Sequence, residues 1–372
     1  MSSRYPSGME RFGFVGLPNA GKSSLYNALA GGGALAAPYA FATVDPNVGV
    51  ARIPDSRLDH LAAMSQSKKV IHAAVQFVDI AGLVKGAAQG EGLGNRFLSH
   101  IREVEAVVFV LRAFADGDVD GSHDPLEQLA TLELELSIAD YESVSKQLDR
   151  RRRAAKGDKS LLAEVEALEV AEKILADGTP LFRSEISEGA LDLLRPYTLL
   201  TAKRVMAVVN ISEDEIGNEA AFEAPVREAL RSGSTSDDSA DVVALCVQLE
   251  AEAALVDESE RAEMLEGFGL GDGALPRFIR HAYHLLGLRT FFTTGEKESR
   301  AWTFRAGYKA PQAAGVIHTD FERGFIRAET VQWDELLEFG SWSKAREAGK
   351  LRIEGKEYEV VDGDVMEFRF NV

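Results

Sequence analysis

Gly16-Leu-Pro-Asn-Ala-Gly21-Lys22-Ser23 is the stretch of this 372-residue chain whose residue types and spacing have the plainest chemical consequence. It satisfies G-x-x-x-x-G-K-[ST], and it stands between a short apolar run, Arg11 to Val15, and a helix-like stretch, Ser23 to Ala30. Glycines let the backbone wrap a phosphate chain, and the N–H groups with the helix N-terminus form a nest for anionic oxygens. Lys22 brings a point charge to the β- and γ-phosphates, and the Ser23 hydroxyl can ligate Mg²⁺. Further along, Val75-Gln-Phe-Val-Asp79-Ile-Ala-Gly82 ends an apolar run on a carboxylate. Burying a carboxylate is costly unless a cation or hydrogen bonds engage it, so Asp79 is expected to face the Mg²⁺ shell. Between the two motifs, Tyr39-Ala-Phe-Ala-Thr43 offers Thr43 as the second hydroxyl ligand, on a switch loop.

Base recognition is unusual. Guanine-specific proteins of this class use N-K-x-D, whose Asp accepts both guanine N–H groups. That motif does not occur in the chain; Val208-Val-Asn210-Ile211-Ser212-Glu213 stands in its place. Adenine presents an acceptor at N1 where guanine presents a donor, so an ionised carboxylate there would repel it. Glu213 is therefore expected to turn away and Asn210 with its neighbouring backbone to read the base edge. ATP becomes the expected substrate, the alternative being a shifted loop in which Glu213 still reads guanine. Catalysis is atypical too, because Leu83 follows Gly82 where a water-orienting Gln is usual. Intrinsic turnover should be slow. Asn19 either stabilises the loop or recruits K⁺ in place of an arginine finger, and the glycines from Gly82 to Gly94 suit a loop that rearranges with the γ-phosphate.

Elements must position these groups. Apolar, β-branched runs at Ala74 to Ile80, Ala106 to Leu111, Arg204 to Val209 and Asp241 to Val247 are short enough for buried strands. Their continuous apolarity implies a sheet covered on both faces, hence a doubly wound, mostly parallel α/β domain. Roughly 90 residues separate Leu111 from Arg204, far beyond a usual crossover. Leu129, Leu132, Leu136 and Ala139, then Leu161, Val165, Leu168 and Leu175, recur at helical spacing. They predict an inserted α-helical hairpin with the basic run Arg150 to Lys159 as its turn. Past Thr290 the short β-type runs Ala301 to Arg305, Gly324 to Val331, Tyr358 to Val361 and Val365 to Phe370 predict a small α+β domain, with a hairpin at Asp362-Gly363. His318 and Asp320 are expected to cap a turn.

Composition bounds the class. Hydrophobic residues at 45% and charged residues at 27% describe a globular protein with a sizeable core. The 41 Lys+Arg against 59 Asp+Glu give a net charge of −18, so any RNA contact needs a local basic patch, and no DNA partner is expected. One cysteine, Cys246, excludes an intramolecular disulfide and any multi-cysteine metal site. No apolar run is long enough for a bilayer and no secretory leader is visible, so a cytoplasmic protein is expected.

Together, Gly16 to Ser23, Asp79-Ile-Ala-Gly-Leu-Val-Lys-Gly86, Gly90-Glu-Gly-Leu-Gly-Asn95 and Asn210-Ile-Ser-Glu213 resemble the YchF (Obg-like ATPase) subfamily of Obg-related P-loop NTPases. Ala310 to Ala328 is similar to that family's TGS domain, a ubiquitin-like β-grasp module. The resemblance implies ATP preferred over GTP, Mg²⁺ dependence, and association with the ribosome (large subunit) or translation factors, including ribosomal RNA contacts through the helical tip and TGS domain. It places nucleotide contacts on Asn19, Ala20, Gly21, Lys22, Ser23, Ser24, Asn210 and Ile211, and metal ligands on Ser23 and Thr43, beside Asp79. The implied domains are 1–125 with 200–287 for nucleotide, 126–199 for the helical insertion and 288–372 for the β-grasp module. Some members carry a histidine proposed for catalysis in the loop after the Leu111 run; His123 is the candidate there, weighed against a solvated imidazole.

Overall fold

The computed structural model describes residues 11–31, 48–80, 93–115, 121–231, 241–271 and 273–371. The chain forms two compact units, one from Glu10–Gly49 and Gln76–Phe278, the other from Val50–Val75 and Ile279–Val372.

The first unit is built on β1 (Arg11–Val15), β4 (Ala74–Asp79), β5 (Ala106–Arg112), β6 (Arg204–Asn210) and β7 (Val242–Leu245), joined at the edge by β2 (Val48–Arg52) in the order β2-β4-β1-β5-β6-β7. The β1·β4, β1·β5, β5·β6 and β6·β7 pairs are all parallel. Every residue of β5 is buried, as a parallel strand covered on both faces requires. On one face Phe12, Phe14 and Phe77 pack with Tyr26 of α1 (Lys22–Gly31) and Phe278 of α10 (Leu275–Leu285). On the other, Val107, Phe109 and Leu111 join Ile101 of α3 (Leu93–Arg102) and Leu129, Leu132 and Leu136 of α4 (Pro125–Ala155) in one core. Helices α7 (Glu219–Arg231), α8 (Val247–Ala253) and α9 (Glu258–Gly267) complete the unit.

The expected helical hairpin is α4 with α5 (Leu162–Ala176), followed by the short α6 (Glu188–Leu194). Asp124 caps α4 by accepting from the Leu126 N–H, and Pro125 pre-sets the first turn. Leu129 to Ala139 of α4 belong to the sheet core, whereas Val144 and Leu148 pack on Val165, Leu168, Ala171 and Leu175. One helix thus serves both cores. The basic run departs from expectation, because Arg150 to Arg153 are helical and the turn comes only at Lys156 to Asp158. A run of long straight-chain residues favours helix, and the break waits for Gly157.

In the second unit the sheet order is β11-β10-β12-β8-β9-β3. β8 (Leu288–Thr293) and β9 (Ser299–Arg305) form an antiparallel pair, α11 (Ala310–Ile317) follows, and β12 (Asp364–Phe370) lies parallel to β8 and antiparallel to β10 (Phe325–Gln332). Ala310, Ala313 and Ala314 of α11 meet Phe291, Phe304, Phe325 and Phe368 of the sheet. This is the expected β-grasp arrangement. Around it stand α12 (Thr319–Arg323), α13 (Trp333–Phe339), α14 (Trp342–Glu347) and β11 (Arg352–Glu354). His318 caps α12 by accepting from the Asp320 N–H, as its spacing suggested.

Here α2 (Ser56–Met64) packs near α13 and β9, and β3 (Val70–Ile71) extends the sheet parallel to β9. One sequence expectation fails: Asp362-Gly363 does not turn a hairpin. Asp362 accepts from the Thr290 N–H at 2.8 Å and from Arg57 of α2 at 2.7 Å, and Tyr358 to Val361 contributes only an isolated bridge through Glu359. Among the described residues no helix is long and apolar enough to cross a membrane.

Candidate nucleotide site

The carboxyl ends of parallel strands are where α/β sheets bind ligands, and the sequence-predicted groups converge there. β1 ends at Val15 and the chain turns tightly through Gly16 to Gly21 into α1. Gly16 passes so close to β5 that a Cβ would lie 2.5 Å from the Val110 carbonyl oxygen. Gly21 has φ of 100°, and a Cβ there would lie 2.4 Å from Asn210 Nδ2. Both positions demand glycine. Asn19, exposed at the loop, has φ of 62°, a conformation asparagine tolerates better than most residues. The Leu25 N–H donates to the Gly21 carbonyl at 2.9 Å and starts α1, whose first-turn N–H groups are of the kind that bind anions.

Lys22 is 7% exposed, and its ammonium donates to the carbonyls of Gly16 at 3.1 Å and Leu17 at 2.8 Å. Burial lowers its pKa to about 8, against the opposing pull of Asp79. Ser23 Oγ donates to Asp79 Oδ2 at 3.1 Å. Asp79 Oδ1 is buried and has no hydrogen-bond partner among the described residues. A half-buried carboxylate with one unsatisfied oxygen, beside a hydroxyl, is a donor set that suits a hard divalent cation. Among the described residues no group of three His, Cys, Asp or Glu could hold a metal by itself. Mg²⁺ characteristically takes one or two protein oxygens and fills its shell from phosphates and water. Ser24 is exposed on the first turn of α1. Thr43, Gly82, Leu83 and Gly90 to Gly92 lie outside the described residues.

At the end of β6, Asn210 is 5% exposed, and both ends of its amide are engaged. Nδ2 donates to the Ala20 carbonyl at 3.1 Å, and Oδ1 accepts from the Val247 N–H at 3.1 Å. The side chain expected to read the base edge is thus a strap between the phosphate loop and the first turn of α8. Ile211, expected at the nucleotide, is 1% exposed with its side chain in the sheet core. Glu213 is exposed at the start of a short 3₁₀ turn. His123 is exposed in the loop ahead of α4. Cys246, buried between β7 and α8, has its thiol pKa pushed up by that burial.

Two buried polar residues here escaped the sequence reading. Arg112 ends β5 in register with Asn210, and its Nη2 donates to the Gly121 carbonyl at 2.9 Å. Gln128 accepts from the Arg112 N–H at 2.9 Å and donates to the Arg112 carbonyl at 2.6 Å and the Ser122 carbonyl at 3.1 Å. They clamp the mouth of the loop that follows β5. The signal available was an arginine closing an otherwise apolar run.

Comparison with known proteins agrees with this geometry. Residues 11–146 match the family described as "50S ribosome-binding GTPase", and residues 288–371 match YchF-GTPase_C, described as "Protein of unknown function (DUF933)". The "Ribosome-binding ATPase YchF" of Bacillus subtilis (strain 168) is 46% identical over 366 residues, 97% of this chain and 99% of its own length. That of Escherichia coli O157:H7 is 43% identical over 364 residues, with the same two coverages. The solved structure of the Schizosaccharomyces pombe YchF GTPase superposes with a TM-score of 0.86 at 34% identity, spanning 98% of this chain and 99% of that one. With a phosphate loop, a half-satisfied Asp79 and a β-grasp unit matched along nearly its whole length, the chain belongs to the YchF family of P-loop NTPases.

Proposed function

We propose that the protein binds and slowly hydrolyses ATP, in preference to GTP, at an Mg²⁺ site, and acts as a nucleotide-dependent switch on the large ribosomal subunit. The observation that carries the base preference is the end of β6. The position of a stacking lysine is Ile211, its side chain in the core, and the carboxylate of Glu213 faces solvent. Neither group that reads guanine in N-K-x-D proteins is available there. Relatives named ribosome-binding ATPases support ATP and the ribosome alike.

The phosphate loop would act by position and charge. Lys22 exchanges the carbonyls of Gly16 and Leu17 for β- and γ-phosphate oxygens, which suit an ammonium better. Ser23 and Asp79, with Thr43 from the switch loop, would hold Mg²⁺. When bound, Mg²⁺ neutralises charge that develops on the phosphate oxygens. Asn210 keeps the loop in shape through Ala20 rather than touching the base. Asn19 is the residue to which K⁺ dependence would trace. With Leu83 in place of a water-orienting Gln, the chain's own residues leave the attacking water without a side-chain partner at that position, so turnover is slow until an activator engages.

Calorimetric titration of Mg-ATP against Mg-GTP tests the base preference; tighter GTP binding would return the protein to the Obg-type GTPases. Ribosome co-sedimentation with and without nucleotide tests the switch. A second reading, in which nucleotide only stabilises a ribosome-docking shape, is favoured by Leu83. It stands if a variant that binds but cannot hydrolyse still complements a deletion strain.

A further inference from the structure

Asn210 fixes which part of the sheet edge a base can reach. Its amide straps the phosphate loop at Ala20 to the N–H of Val247, the first residue of α8. The Ile211 N–H donates to the Leu245 carbonyl at 3.1 Å, which carries the pairing of Asn210 with Leu245 one step past β6 and β7. Segments 211–213 and 246–248 therefore run side by side beyond the carboxyl ends of these strands. Ligands of parallel sheets bind outside those ends, so a purine whose triphosphate lies in the loop meets these two segments.

Their side chains are not equally able to read it. Asn210 has both ends of its amide spent, and Ile211, Cys246 and Val247 are buried. Glu213 is an exposed carboxylate, which adenine N1 repels. Ser212 makes no capping hydrogen bond, but a hydroxyl donates or accepts as required and fits a 6-amino or a 6-oxo group alike. That leaves Gln248, exposed on the first turn of α8 with a neutral amide.

Glu252, one turn further on, decides which way that amide faces. Gln248 Nε2 donates to Glu252 Oε1 at 3.1 Å. A carboxylate accepts and does not donate, so the pair forms only with Nε2 toward Glu252. The free end of the amide is then its oxygen. Adenine carries a donor, the N6 amino group, at the ring position where guanine carries the O6 acceptor. An oxygen presented there bonds to the first and repels the second. With no acceptor at position 252 the amide could turn over and donate to O6 instead.

We propose that Gln248 discriminates the base, its Oε1 accepting from the adenine N6 amino group. Glu252 is the positioning residue that holds the amide in that orientation. This rests on the reading of ATP as the preferred substrate, and deepens it by supplying an attraction to adenine that the loss of N-K-x-D does not provide.

The test is calorimetric titration of the parent, Gln248→Ala and Glu252→Ala, thermal melting verifying that each folds. The ligands are the Mg²⁺ complexes of ATP, of GTP and of purine riboside triphosphate, which lacks the 6-amino group. The parent should bind ATP about fivefold more tightly than this analogue, the worth of one neutral hydrogen bond. Gln248→Ala should weaken ATP by about the same fivefold, leave the analogue unchanged, and narrow the ATP-to-GTP ratio at least as much. Glu252→Ala should keep ATP within about twofold and tighten GTP, since the freed amide serves either base. The proposal is overturned if Gln248→Ala leaves ATP affinity unchanged or weakens ATP and the analogue alike. It is also overturned if Glu252→Ala keeps the parental ATP-to-GTP ratio. A parent that binds GTP more tightly than ATP would instead sink the reading of ATP as substrate.

Discussion

Asp79, half-buried at the end of β4, and Asp364, fully buried at the start of β12, are treated in opposite ways. Asp364, fully buried in the C-terminal unit, accepts from Gln332 at 2.7 Å, Arg352 at 3.1 Å, Tyr358 at 2.8 Å and the Val361 N–H at 2.9 Å. Each oxygen has two donors. Asp79 receives only the Ser23 hydroxyl on one oxygen, and its other oxygen has no partner among the described residues. Lys22 nearby has only two carbonyls, neither of them charged. Full satisfaction marks scaffold; partial satisfaction of buried charge marks a place that something else must complete. Asp140 belongs with Asp364, since it accepts from the N–H groups of Leu200 and Thr201 and from the Thr201 hydroxyl, pinning α4 to the turn ahead of β6.

If that contrast is right, removing charge at the loop should cost activity and spare stability. Lys22→Ala deletes the cation that stabilises transferred phosphate charge, and phosphate release should fall by about 10³. Its melting temperature should hold or rise, because a buried, desolvated ammonium disappears. A melting point several degrees lower would mean that Lys22 is scaffold after all.

A paired substitution sharpens the comparison. Asp79→Asn keeps shape and removes a charge that the fold does not satisfy, so unfolding free energy should move by no more than about 0.5 kcal/mol. Mg²⁺-dependent tightening of ATP binding should nonetheless drop by about 10². Asp364→Ala should do the reverse, leaving four donors without their acceptor and costing about 3 kcal/mol of stability. Chemical denaturation of both proteins decides; equal losses would erase the distinction.

The same contrast explains what the sequence could and could not disclose. Gly16 to Ser23 and Asp79 are local signals, and the continuous apolarity of β4, β5, β6 and β7 is visible in any short window. The phosphate loop and the strands that carry it are legible for that reason. Satisfaction is not local. Asp362 looks like a hairpin turn in the sequence because its partners, Thr290 and Arg57, lie 72 and 305 residues away. The packing of α2 and β3 is hidden for a similar reason, since their neighbours β9 and α13 come more than 200 residues later. Asn210 was placed correctly at the end of β6, but its task depends on Ala20 and Val247, which no spacing reveals. In the sequence the arginine run is one charge cluster, while helix geometry splits it between Glu164 and Glu169 on one side and solvent on the other.

A proton provides a gentler probe of the loop. Lys22 titrates at about 8 in the nucleotide-free protein, below its ordinary 10.5, because burial disfavours the charged form. The unfolded chain therefore holds this proton more tightly, and Lys22's contribution to stability rises with pH between about 8 and 10.5. Nucleotide works in the opposite direction. A triphosphate beside the ammonium restores its affinity for the proton, so binding should take up as much as one proton above pH 8. Affinity should weaken by up to about tenfold per pH unit there. Titrations near pH 8.5 in two buffers of different ionisation enthalpy measure the uptake directly, and none at all would place Lys22 outside the nucleotide site.

The smallest effect is expected at His123, and it tests whether exposure alone separates bystander from participant. The imidazole is exposed ahead of α4, and its neighbours Ser122 and Asp124 spend their side chains on Glu127 and the Leu126 N–H. A general base contributes about 10² or more to a rate, and it must be held against the water it activates. Nothing among the described contacts holds His123 in that way. His123→Ala should change ATP turnover by less than about twofold, with or without ribosomes, because a solvated side chain has no fixed geometry to lose. A tenfold fall that appears only with ribosomes present would show that the partner orders this loop, and would bring His123 across to the side of Lys22 and Asp79.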